Sequence, residues 1–170
     1  MNIKILTYII FCLLSLSAMG QTNNNINQLN DKGKKEGLWI ENNGTIMAYY
    51  KNGKKDGVYI SYYRKNGRVQ AFGEYKQDLL SGTWYFFNEE GILLFTETNI
   101  EKNTKYTIMR DDGVIITPKF TSYVKFYYPN GYIKAEGRVL YDEIVEIDYF
   151  ETGTWKYYNK QGELEQTKEH

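Results

Sequence analysis

Gly33-Lys34-Lys35-Glu36-Gly37-Leu38-Trp39 recurs twenty residues later as Gly53-Lys54-Lys55-Asp56-Gly57-Val58-Tyr59. The frame returns at Gly82-Thr83-Trp84 and Gly153-Thr154-Trp155, and Ser122 takes the glycine's place ahead of Val124. Self-similarity at a short fixed period marks a chain built by stacking one small supersecondary unit.

Aligned two residues past the glycine, one column holds Trp39, Tyr59, Trp84, Val124 and Trp155. Two residues further on stand Glu41, Ser61, Phe86, Phe126 and Tyr157, with Ile40, Ile60, Tyr85, Lys125 and Lys156 between. Residues two apart share a strand face. The first two columns therefore predict a packed face, and the intervening column an opposite face that grows polar toward the C-terminus. At roughly 1.5–3 kcal/mol per buried large apolar side chain, Trp39, Tyr59, Trp84, Phe86, Phe126 and Trp155 should dominate stability.

Turn signals follow at Asn42-Asn43-Gly44, Lys65-Asn66-Gly67, Glu89-Glu90-Gly91, Pro129-Asn130-Gly131 and Lys160-Gln161-Gly162. Glycine there supplies the positive φ of a tight hairpin. Second strands are expected over 46–50, 68–75, 93–98, 133–140 and 164–166. Residues 99–121 break the period and carry one further hairpin around Asp111-Asp112-Gly113. The expected fold is all-β, an elongated antiparallel sheet or solenoid of about five stacked hairpins, each burying its apolar face against its neighbours.

Residues 1–20 read as a signal peptide: Lys4, an apolar run from Ile5 to Leu14, then Ala18-Met19-Gly20 before Gln21. Export to the periplasm or cell surface is the implied destination. Residues 21–31 are polar and aperiodic, which predicts a flexible tether, and the folded domain should occupy 32–170. The only cysteine, Cys12, lies in the leader, so the mature chain would have no disulfide. The chain has 21 basic and 21 acidic side chains, and losing the leader removes Lys4 alone. Such a balance argues against a nucleic-acid partner and against attraction to anionic membranes, and no stable membrane insertion is expected once the leader is gone.

Gly53 through Gly67, a Gly-x-x-x-Gly-x-aromatic phrase followed by Tyr-Tyr-x-x-x-Gly, resembles the MORN repeat in its bacterial variant. The resemblance extends over Gly33–Gly91 and Gly153–Gly162, with Ser122–Gly131 as a degraded copy. It implies an elongated sheet of hairpins that mediates protein or lipid contact. In the antitoxin-like members of that family it implies a toxin as partner.

Catalytic chemistry has few carriers. The single histidine, His170, is the last residue, where fraying is expected, so Cys/His nucleophiles, histidine zinc sites and a Ser-His-Asp triad are not expected. Glu146 and Asp148, in the acidic stretch 142–151, fall on one strand face about 7 Å apart and could be imagined as a hydrolase pair; a charged sheet edge explains them equally. The paired lysines lack the Gly-x-x-x-x-Gly-Lys-Ser/Thr phosphate loop and are read as solubilising the inter-repeat turns. Tyr50, Tyr62, Tyr85, Tyr127 and Tyr158 could form an exposed ladder, unless both faces are covered. No cofactor and no metal is expected. The leading expectation is a non-enzymatic module working through protein–protein contact or self-association, with glycan or cell-wall binding on the tyrosines as the alternative.

Overall fold

The computed structural model describes residues 26–110, 113–142 and 149–170. The expected leader, Asp111-Asp112 of the inserted turn, and Glu146 and Asp148 lie outside the described residues.

The strands are β1 (Gln28–Leu29), β2 (Lys35–Glu41), β3 (Ile46–Lys51), β4 (Lys54–Tyr62), β5 (Val69–Lys76), β6 (Leu79–Phe87), β7 (Leu93–Lys102), β8 (Ile108–Met109), β9 (Ile115–Ile116), β10 (Phe120–Tyr127), β11 (Ile133–Tyr141), β12 (Phe150–Tyr158) and β13 (Leu164–Glu169). Eleven form one antiparallel sheet in chain order, with β8 and β9 making a separate hairpin. The expected all-β sheet of successive hairpins is thus the fold.

Register makes the repeat visible. One unbroken cross-strand row runs Ile40, Met47, Ile60, Phe72, Tyr85, Thr96, Lys125, Glu136, Lys156, Thr167. It turns from apolar to polar midway, as the intervening column suggested. On the other face a parallel row runs Glu41, Ile46, Ser61, Ala71, Phe86, Phe95, Phe126, Ala135, Tyr157, Gln166. Beside it stand Trp39, Ala48, Tyr59, Trp84, Glu97, Val124 and Trp155. This second face carries the core, in which large rings lie over small residues.

Two glycines the repeat phrase does not contain explain that packing. A Cβ on Gly73 would sit 2.4 Å from Trp84 Cδ2, and one on Gly137 would sit 2.3 Å from Trp155 Cδ2. Each indole therefore lies flat on the glycine of the preceding strand. Its Nε1–H donates to the carbonyl one residue further along, Glu74 O at 3.1 Å and Arg138 O at 3.0 Å. Cross-strand aromatic cover of a strand glycine offsets the packing a bare backbone lacks. Trp84 and Trp155 are almost fully buried, whereas Trp39 is only half-buried.

The glycines of the opening phrase are not all turns. Gly53 turns the chain between β3 and β4, but Gly57, Gly82 and Gly153 lie inside strands with φ of 124°, 67° and 66°. Each sits opposite a register shift, at Ala48/Tyr50, Phe72/Glu74 and Glu136/Arg138. They are β-bulge glycines, which sharpen sheet twist. In the fourth repeat the extra residue falls on the partner strand, where Asn99 has φ 52° between Thr98 and Glu101. That relocation frees Ser122 from needing to be glycine.

Neighbouring hairpins are also tied at their tips. Tyr63 and Tyr128 donate to Phe87 O (2.7 Å) and Tyr158 O (2.9 Å). Asn66 and Asn130 Nδ2 donate to Glu89 O and Lys160 O, both at 2.8 Å. The second tyrosine and the turn asparagine of the repeat thus join one repeat to the next.

Three expectations are corrected. The ordered sheet begins before Lys32: Gln28–Leu29 pairs with Lys35–Glu36, and Asn27 Oδ1 accepts from Ile40 N at 2.7 Å. The excursion is narrower than 99–121, because β7 runs on to Lys102 and β10 starts at Phe120. Its neck is held by buried Asn103, whose Nδ2 donates to Tyr106 O (2.7 Å) and Pro118 O (2.8 Å) and whose Oδ1 accepts from the amides of Lys105 and Tyr106. Finally, His170 is not frayed: its backbone pairs both ways with Gly153, and Nε2 lies 2.9 Å from Glu151 Oε2. A long β13 in place of the three-residue strand expected carries it there.

Candidate functional site

Among the described residues, the core face is not closed along its middle. A groove of about 650 Å³ runs over strands β3 to β7, β10 and β11, lined by Tyr59, Ser61, Ala71, Trp84, Phe86, Phe95, Glu97, Val124, Phe126, Val139 and Tyr141, with Tyr149 at one side and Arg64 at the hairpin end. Cross-strand pairing puts Phe86, Phe95 and Phe126 in line, with ring centroids 4.3 Å and 5.5 Å apart. Tyr149 covers the C-terminal flank at 5.8 Å from Phe126 and 6.5 Å from Trp155.

One carboxylate enters this aromatic wall. Glu97 lies directly between Trp84 and Val124 and is only 8 % exposed. On the same face are Ser122, opposite Val139, and Tyr141. Ser122 Oγ and the Tyr141 hydroxyl are buried with no hydrogen-bond partner. Burial and then the nearby Glu97 charge push the Tyr141 phenol far above its ordinary value, although no hydrogen bond of ordinary geometry joins the two.

The five tyrosines expected to form a ladder do not share a face. Tyr50 is buried on the core face, 6.1 Å from Trp39, donating to Glu41 Oε2 at 3.0 Å. Tyr62, at the hairpin end of the groove, points its hydroxyl at Met47 Sδ (3.4 Å). Tyr85, Tyr127 and Tyr158 lie on the opposite face. There Tyr85 stacks on Phe72 at 4.5 Å, Tyr127 shares a hydrogen bond with Thr96 (3.2 Å), and Tyr158 donates to Glu136 Oε1 (2.7 Å). Their polar tips are turned into the sheet. The physical reason is alternation: Tyr85, Tyr127 and Tyr158 each follow a core-facing residue, Trp84, Phe126 and Tyr157, and so fall on the opposite face, whereas Tyr50 stands two residues past core-facing Ala48.

Only the second lysine of each pair has a different place from the one expected; Lys34 and Lys54 are exposed. Lys35 Nζ stands over Trp39 (4.5 Å) and Tyr50 (4.6 Å) and pairs with Glu41. Lys55 Nζ stands over Tyr59 (5.2 Å) and Tyr75 (4.8 Å). They cap aromatic pairs by cation–π attraction. In the third repeat the same position holds buried Leu80.

Sequence reading identified the aromatic columns that floor the groove but not Glu97. The signal available was a charge in the middle of the second strand of a hairpin, at a position due to face the core. Among the described residues, no three His, Cys, Asp or Glu side chains group closely enough to hold a metal ion. No protein-family model, curated protein or solved structure matches the chain.

Proposed function

We propose that this protein is an exported, non-catalytic binding module of MORN-like repeats that works through contacts made on its sheet, with the aromatic groove as the contact surface. The observation that carries the reading is the groove itself. Six or more aromatic side chains from successive repeats line a cavity of ligand size, the mostly apolar, sparsely polar lining typical of binding sites. Its support from sequence is that the expected mature chain has no cysteine and a single histidine, His170. The exposed apolar residues Ile40, Tyr49, Val58 and Phe72 on the opposite face favour a second contact surface, for a protein partner or another copy.

A thermal-shift panel tests the groove. A ligand bound only by the folded state stabilises it by about 2.7 kcal/mol at a hundred times its dissociation constant. Short soluble peptides and oligosaccharides are offered to the wild type and to Ala71→Leu, which fills the groove from its floor. At least one class is expected to raise the melting temperature of the wild type alone. Equal stabilisation of both proteins would place binding elsewhere.

A further inference from the structure

Among the described residues, Glu97 is the only acidic one lining the groove. Burying a carboxylate costs several kcal/mol unless a cation or good hydrogen bonds offset it. None of the ion pairs among the described residues includes Glu97. Outside the described residues the sequence has a single basic side chain, Lys4 of the leader.

Arg64, at the hairpin end of the groove, forms no ion pair with Glu97. Lys35 and Lys55 sit over their own aromatic pairs. Two further polar groups beside Glu97 await a partner, Ser122 Oγ at 0 % residue exposure and the Tyr141 hydroxyl at 7 %. A buried charge without a counter-ion, next to two orphan hydroxyls and walled by Trp84, Phe86, Phe95 and Phe126, is complementary to one kind of group. A cation carried on an apolar stem would meet the negative faces of the rings, the carboxylate and apolar walls together.

We propose that the groove binds a primary ammonium or guanidinium group on an apolar stem, with Glu97 as its counter-ion, a proposal that rests on the groove being the binding surface. The stem can belong to a free alkylamine or to a lysine or arginine side chain of a peptide. Both present the same chemistry, and the test separates them.

Isothermal titration of the full chain uses hexylammonium, N-acetyl-lysine-methylamide, 1-hexanol and hexanoate as probes. The cationic probes are expected to bind at least tenfold more tightly than hexanol or hexanoate. Glu97→Gln should weaken the cations at least tenfold while leaving hexanol unchanged. Tighter binding of the lysine derivative points to a peptide, and tighter binding of hexylammonium to a free amine. Either supports the proposal. The comparison of the four probes in the wild type needs no variant to fold. Hexanol binding as tightly as hexylammonium, with Glu97→Gln indifferent, would overturn the charge assignment and leave groove binding intact. Binding by none of the probes in the wild type would overturn this proposal, and a flat peptide and oligosaccharide panel besides would overturn the groove reading with it.

Discussion

Replacing Gly73 by alanine isolates the packing on which the core depends. Gly73 lies outside the positive-φ region, so its backbone accepts alanine. In an uncovered strand the change would gain about 0.5–1 kcal/mol of unfolded-state entropy. Here the new Cβ would meet Trp84 at 2.4 Å from Cδ2 and 2.5 Å from Cε2, where ordinary contact begins at 3.4 Å. The indole must withdraw by roughly 1 Å. It has nowhere easy to go, since Tyr75 lies at 5.0 Å, Tyr59 at 5.5 Å, and its Nε1–H is bonded to Glu74 O. Overpacking costs typically about 1–3 kcal/mol, and a strained indole hydrogen bond about 1 kcal/mol more. Set against the entropy gain, the net expected loss is about 1–3 kcal/mol. Urea unfolding followed by far-ultraviolet circular dichroism reads it directly. In a Trp84→Leu background the same Gly73→Ala change should become neutral or stabilising, a coupling only residues in contact can show. Gly73→Ala that leaves the wild-type midpoint unchanged, or raises it, refutes the reasoning.

Other outcomes follow from the same contacts. Trp155→Ala should cost about 3–5 kcal/mol in chemical denaturation, and Trp39→Ala clearly less, because the latter ring is half-exposed. Asn103→Ala should lose about 1–3 kcal/mol by leaving buried carbonyls unpaired. It should also speed amide exchange between residues 103 and 119, and unchanged exchange there would show that the neck is held by something else. At high pH the protein should weaken. The phenols of Tyr75, Tyr157 and Tyr158 are pushed up to about 12, by burial for the first two and chiefly by the hydrogen bond to Glu136 for Tyr158. A raised folded-state value leaves this stability intact below pH 10 and removes it as the pH climbs from 10 through 12. Melting temperature against pH should therefore fall across that interval, with tyrosinate absorbance rising in step; flat stability to pH 12 would contradict the assignment.

Much of the architecture was legible because the repeat forces alternation. Once Trp39, Tyr59, Trp84 and Trp155 share a column, period-two geometry assigns the faces, and the turn glycines assign the hairpins. What escaped notice depends on cross-strand partners, which a linear reading does not supply. Gly73 and Gly137 look like ordinary strand glycines until register brings Trp84 and Trp155 over them. The tyrosine ladder failed because Tyr50 falls on the core face two residues past Ala48, while Tyr85, Tyr127 and Tyr158 each follow a core-facing residue and alternate onto the other face. Gly57, Gly82 and Gly153 look like turn glycines in the linear sequence, but their positive φ serves bulges within strands. Glu97 was invisible as a site residue because its meaning comes from neighbours on β6, β10 and β11.

Valine methyls offer the most direct measurement of whether the groove is where this protein binds. Val124 and Val139 line it, while Val58 is exposed on the opposite face. In a methyl-labelled sample titrated with hexylammonium, the Val124 and Val139 resonances should shift together and saturate, with Val58 unmoved. Shifts confined to Val58 would contradict the account; none at any of the three would overturn the ammonium site, and the same silence toward the peptides and oligosaccharides would overturn the groove reading.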